Sequence, residues 1–159
     1  QIATTLASIG VTAWDEWYGN TRLYLFGQGA DDPIPESVIG EYPALGEVRA
    51  GSDAGAQPSG TGIIPVYLQG DSNNGAARVS LQIVGRGSVW GEWDGAFEEG
   101  RIRAGIPVVA GTPPGDYQIQ ATVYDGESGT PLQRRINGIP AAPVATVGDI
   151  TITLPLTAR

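Results

Sequence analysis

The chain has 159 residues, a formal net charge of -8 and nine basic residues that are all Arg. It contains no His, Cys, Met or Lys. Such a surface repels phosphate backbones and anionic leaflets, so nucleic acid is not expected as a partner. The missing side chains exclude Ser-His-Asp and Cys-His nucleophiles, Schiff bases, a P-loop lysine, disulfides and thiolate or imidazole metal sites.

The length suits one domain over residues 1–159, large enough to bury a core without covalent staples. Hydrophobic residues make up 41% and charged residues only 16%, below the ~25% common in soluble domains. The 24 Gly and 12 Pro read as dense turns. No run of ~18 apolar residues is present, so no membrane-spanning segment is expected within the chain. A start at Gln1, without a basic leader, suggests a processed product or a fragment whose targeting segment is missing. With no Cys to keep reduced, an extracytoplasmic location (secreted or at the cell surface) is the expectation.

Helical periodicity is lacking: no window of eleven residues keeps apolar positions at i, i+3, i+4 and i+7 free of Gly and Pro. Alternation takes its place. The first run, "TRLYLFG" (21–27), sets Leu23 and Leu25 against Tyr24 and Phe26. Residues 27–61 then show little alternation and many Gly, Pro and Asp, predicting an irregular arm or long loop, with 46–50 as the candidate for a short strand. "IIPVYLQG" (63–70) aligns Ile64, Val66 and Leu68, and Pro65 suggests an edge strand or a strand start. "ARVSLQIVG" (77–85) aligns Val79, Leu81 and Ile83. Between these two runs stands Asn74-Gly75, a dipeptide suited to a type I′ turn, which predicts a hairpin of 63–69 with 76–84. "DYQIQATVYD" (116–125) aligns Tyr117, Ile119, Ala121 and Val123, and "DITITLPL" (149–156) aligns Ile150, Ile152 and Leu154. The fold class is therefore all-β: an immunoglobulin- or fibronectin-III-like antiparallel sandwich with a long irregular N-terminal segment.

"GTPPGDY" (111–117) carries a fold signal. Two prolines stiffen the approach, Gly115 permits a tight bend, and Tyr117 turns its ring inward with a hydroxyl free to bond nearby backbone, the logic of a tyrosine corner.

Two clusters pair Trp with acids: "WDEWYG" (14–19) and "VWGEWDG" (89–95). Trp14, Trp17, Trp90 and Trp93 fit a carbohydrate platform, since sugar C–H faces stack on indole and carboxylates accept from hydroxyls. The same residues also fit core or interface packing. In a strand Trp90 and Trp93 point to opposite faces. Glu92, Asp94, Glu98 and Glu99 are the acids a glycan-acting enzyme would use, or solvated turn residues. For calcium, "DSNNG" (71–75) opens like a binding loop, but position 82 holds Gln where a bidentate Glu is needed. "ADD" (30–32) and "DGES" (125–128) read better as turns in which an Asp bonds its own backbone. No cofactor is expected.

"VSLQIVGRGSVWGEWDG" (79–95), "TPPGDYQIQATVYDGESGTPL" (112–132) and "VGDITITL" (147–154) together resemble the β-sandwich appended to bacterial membrane glycosyltransferases of the protein mannosyltransferase type. The resemblance covers about residues 62–156 and rests on structural residues. It implies an extracytoplasmic immunoglobulin-like module and brings no catalytic motif. The expected function is a non-catalytic structural or interaction module, such as a subunit of a surface or membrane-associated assembly, with other subunits or itself as partner. Carbohydrate binding by the tryptophans is the alternative, and a carboxylate-based glycan enzyme the second alternative.

Overall fold

Four runs bury every second side chain, and this period-two burial builds two facing sheets. The computed structural model describes residues 11–18, 21–27, 37–43, 45–52, 55–71, 76–97 and 99–157, the first two stretches by backbone alone. The strands in chain order are β1 Val11–Tyr18, β2 Thr21–Gly27, β3 Ser37–Tyr42, β4 Gly46–Ser52, β5 Gln57–Pro58, β6 Ile63–Gly70, β7 Ala77–Gly85, β8 Ser88–Ala96, β9 Arg101–Pro107, β10 Gly115–Asp125, β11 Arg135–Ile136, β12 Ile139–Pro140 and β13 Val144–Thr153.

One sheet runs β5-β13-β10-β7-β8 and the other β12-β11-β3-β4-β6-β9, while β1 and β2 form a separate antiparallel hairpin close to β9. All pairs are antiparallel except β13 with β5. Between the sheets lie Val79, Leu81 and Ile83 of β7, Ile119, Ala121 and Val123 of β10, and Ile64, Val66 and Leu68 of β6, all essentially inaccessible. Ile102, Ala104 and Ile106 of β9 complete the layer. The protein is an all-β sandwich, and at about 25 cal/mol per Å² these aliphatic stripes are its main source of stability.

Four expectations are corrected by the structure. The hairpin predicted at Asn74-Gly75 does not form: β6 pairs with β4 and β9, whereas β7 pairs with β10 and β8 in the opposite sheet. The dipeptide itself lies outside the described residues. The strands on either side are separated by Asp71 to Ala76, long enough to cross the ~10 Å between layers. Second, residues 27–61 are not wholly irregular: the candidate strand at 46–50 is present as β4, and β3 and β5 fall there as well. Ile39 is an extra residue in β3 at its pairing with β4, and this bulge erases the alternation a sequence reader looks for. Third, β6 is not an edge strand. Pro65 lies just past the last β4 pair, Ser52 with Val66, and its carbonyl accepts from Ser52 Oγ at 3.2 Å. The side of β6 where its N–H is missing has no ladder to lose. Fourth, Leu154 is not inward. Strand β13 stops at Thr153, and Leu154 is 70% exposed beside Pro155. The strand instead begins earlier, at Val144, with Val147 bulged, so buried positions jump from Ala145 to Ile150 and Ile152.

The tyrosine corner is present as expected. Tyr117 is 2% exposed and its hydroxyl donates to the Pro113 carbonyl at 2.6 Å. Its ring lies over Gly85 of β7, where a Cβ would come within 2.5 Å of the ring. Arg86 braces the same corner by donating to the Pro114 carbonyl at 2.7 Å.

Candidate functional site

The first aromatic cluster that the structure describes with side chains is built on a tight turn and a bulge. Arg86 and Gly87, with φ of 52° and 72°, join β7 to β8 in the manner of a type I′ turn. Three residues later the register slips: Val84 pairs with Val89 but Ile83 with Gly91, leaving Trp90 as the extra residue. A bulge re-aims a side chain. Trp90 is half-buried against the core, and its indole N–H donates to the Gly85 carbonyl at 3.0 Å. Gly91 brings β8 so near the end of β9 that a Cβ there would sit 2.7 Å from the Pro107 carbonyl. The result is an open groove of about 430 Å³ lined by Gln82, Val89, Trp90, Glu92, Pro107 and Val109.

Trp93 lies elsewhere. It pairs with Leu81 on the core side of the sheet and is partly buried. Its exposed part lines a different cleft, about 680 Å³, with Glu99, Arg101 and Arg103. Trp90 and Trp93 therefore do not form one platform, nor is one core and the other exposed. Trp14 and Trp17 belong to β1, whose side chains lie outside the described residues.

The acids are likewise dispersed. Glu92 and Asp94 stand on the outer face of β8, opposite Gln82 and Ser80 of β7. Asp94 is engaged: Arg78 donates to its Oδ1 at 2.5 and 3.1 Å, and the Tyr124 hydroxyl to its Oδ2 at 2.5 Å. The hydrogen bond to Asp94 raises the pKa of Tyr124 and, with help from the Tyr124 hydroxyl, that of Arg78. Both ion-pair partners are well exposed, so the pair adds about 1 kcal/mol at most. Glu99 sits in the Trp93 cleft and Glu98 lies outside the described residues. Asp71, which opens the "DSNNG" stretch, joins two acids not foreseen from sequence, Glu41 and Glu47, in lining a third open cleft of about 460 Å³ with Arg135. There Glu47 is tied to Arg49 at 2.7 Å and Asp71 accepts from the Glu47 backbone N–H at 3.2 Å.

"DGES" is a turn closed by its own aspartate. Asp125 Oδ1 accepts from the backbone of Glu127 (3.0 Å) and Ser128 (2.7 Å) and from Ser128 Oγ (3.0 Å). The Ser128 bonds foremost hold its carboxyl below the ordinary carboxylate pKa. Among the described residues no group of three or more acids assembles to hold a metal ion, and residues 30–32 and 72–75 lie outside them.

A second exposed surface lies at the opposite margin. Asn137 and Gly138, with φ of 50° and 74°, turn β11 into β12. From there Ile139, Pro140, Ala142, Pro143 and Val144 run exposed, with Ile139 68% accessible. Arg134 fastens this apolar ledge. It donates to the Ile39 carbonyl at 2.6 Å, to Ala142 at 3.1 Å and over a longer 3.5 Å to Val144, while its own carbonyl accepts from Ala141 at 2.9 Å. Beneath it Tyr42 is buried, its hydroxyl without a hydrogen bond of ordinary geometry. Burial raises the pKa of Tyr42, and the Arg134 guanidinium works against that rise. The signal for this hairpin is in the sequence: Asn137-Gly138 is flanked directly by Ile136 and Ile139.

No family model matches the chain, and no curated protein does. Among solved structures, the chain is similar to the CARDB domain of the PF1109 protein from Pyrococcus furiosus, solved in complex with di-metal ions. The two are 19% identical over 72% of this chain and 96% of that one, with a TM-score of 0.43. We transfer neither metal nor ligand from it.

Proposed function

We propose that this chain is a non-catalytic interaction module. It works outside the cytoplasm as a subunit of a larger assembly, or as an appended sandwich of the kind found on membrane glycosyltransferases of the protein mannosyltransferase type. The observation that carries this reading is the apolar ledge 139–144. Six consecutive uncharged residues, mostly exposed, are held in fixed position by a guanidinium that reaches three backbone carbonyls. A preformed apolar surface loses little ordering entropy on docking, and contiguous exposed apolar area marks contact sites. The strand edge beside it is short and carries Pro140, which blocks further pairing, so the ledge presents side chains and not a free ladder.

The test is native isolation of the chain from its source, with light scattering on the purified protein. Wild type should recover a partner or self-associate. Ile139→Asp with Val144→Asp should abolish that while leaving thermal stability within about 0.5 kcal/mol, as for exposed positions. A strict monomer with no companion, or variants that associate unchanged, would end the reading. Of the acids singled out in sequence, Glu92, Asp94 and Glu99 do not face one another across a cleft, so the carboxylate-enzyme alternative gains no support.

A further inference from the structure

We infer that the groove at Trp90, with the outer face of the β13-β10-β7-β8 sheet beside it, binds a neutral oligosaccharide. This is a surface distinct from the apolar ledge. Three observations converge on it.

The first is the aromatic. The indole N–H of Trp90 is used internally on the Gly85 carbonyl, so the ring lines the groove as an apolar aromatic group with no side-chain donor left over. A bulge and a core contact hold it there, so it needs no reordering on binding. The second is a row of polar groups leading away from it. Glu92 pairs with Gln82, Gln82 with Gln120 and Gln120 with Thr146, so four side chains stand abreast across four strands. At the usual strand spacing the row spans about 14 Å. Among the described residues none of these four side chains makes a hydrogen bond. Their amides, carboxylate and hydroxyl are thus available to a polyol, which presents donors and acceptors in alternation. The third is charge. Among the described residues no cation lines the groove, and Arg78, on the same outer face, is engaged by Asp94 and Tyr124. With a net charge of -8, an anionic sugar is repelled and a neutral one is not. Apolar walls with a few convergent polar groups are the usual make-up of a small-ligand site, and about 430 Å³ lies within the usual range.

The experiment uses the intact chain titrated with neutral hexose and pentose oligomers of two to six units, read by calorimetry and tryptophan fluorescence. We expect saturable binding that strengthens with oligomer length. Trp90→Ala should weaken it by about tenfold or more, the scale for a buried aromatic anchor. Should Trp90→Ala unfold, Gln82→Ala with Glu92→Gln, both at the surface, should still weaken binding about tenfold while the fold is retained by circular dichroism. The double ledge variant Ile139→Asp/Val144→Asp should bind sugar as wild type does, which separates this inference from the interaction-module reading. An inert panel, binding unaffected by these variants, or capture of an extended peptide along the β8 edge in place of sugar would overturn it.

Discussion

The chain holds two Asn-Gly dipeptides, and their surroundings in the fold differ. Asn137-Gly138 closes a two-residue hairpin between Ile136 and Ile139, which pair directly. The strands on either side of Asn74-Gly75 instead join opposite sheets. The lesson is in the flanks. A type I′ turn requires the residues that touch it to be the first cross-strand pair. Around Asn137-Gly138 those residues are isoleucines. Around Asn74-Gly75 they are Asn73 and Ala76, and alternation stops at Gly70. Local turn chemistry is a permission, and the aliphatic stripes decide whether it is used.

The largest expected effect tests the layers. Leu68→Ala in β6 and Leu81→Ala in β7 remove fully buried side chains that enter the core from opposite sheets. Each should lower stability by about 2–5 kcal/mol in urea denaturation. A loss well under 1 kcal/mol in either would break the contrast between crossover and hairpin, because one of these strands would then not line the core. Next comes Tyr117→Phe, a probe of the local signal that tertiary structure upheld. It removes the partner of the Pro113 carbonyl in a part-buried corner and should cost about 1 kcal/mol, with little change in denaturant slope. Gly138→Ala sharpens the hairpin side of the comparison. At φ 74° an added Cβ meets no neighbouring atom, so the penalty is backbone strain alone, about 1–2 kcal/mol. An unchanged midpoint would show that the turn is not held in the left-handed region.

The smallest effect concerns a turn closed by a side chain instead of by backbone angle. The Asp125 carboxyl is held below its ordinary pKa by bonds to Ser128 and Glu127. Its contribution is therefore complete above the unfolded-state value of about 4 and is lost as pH falls through the lower folded value. Asp125→Asn should flatten the acid limb of the stability–pH curve by slightly lowering stability in the neutral region, with little change at the acid end where the carboxyl is already protonated. A wild-type acid limb retained in the variant would assign that limb to other carboxylates.

How much was legible in the sequence follows from the same contrast. Strands β2, β6, β7 and β10 were visible because their alternation runs unbroken through Leu23, Leu68, Leu81 or Ile119. The corner at Tyr117 was visible because prolines and a glycine prescribe it locally. Strand β3 was hidden by the bulge at Ile39, and the first half of β13 by the bulge at Val147, since one extra residue moves every later side chain to the other face. The candidate site was legible only as residue types. That Trp90 and Trp93 would line separate clefts follows from a register slip that no local pattern announces. That Glu92, Gln82, Gln120 and Thr146 would stand abreast depends on which strands become neighbours.

By itself, the sequence determined the alphabet of possible chemistry and the period of the chain. With no imidazole, thiol or amine side chain and with aliphatics at every second position, it prescribed strands and turns, because those properties belong to single residues and their nearest neighbours. The tertiary structure decided which strands share a layer, where a guanidinium pins an apolar ledge, and which polar side chains face solvent in one row. Those outcomes rest on pairing between segments as far as 95 residues apart, as Arg134 and Ile39 are, where burial of the whole core outweighs any local preference.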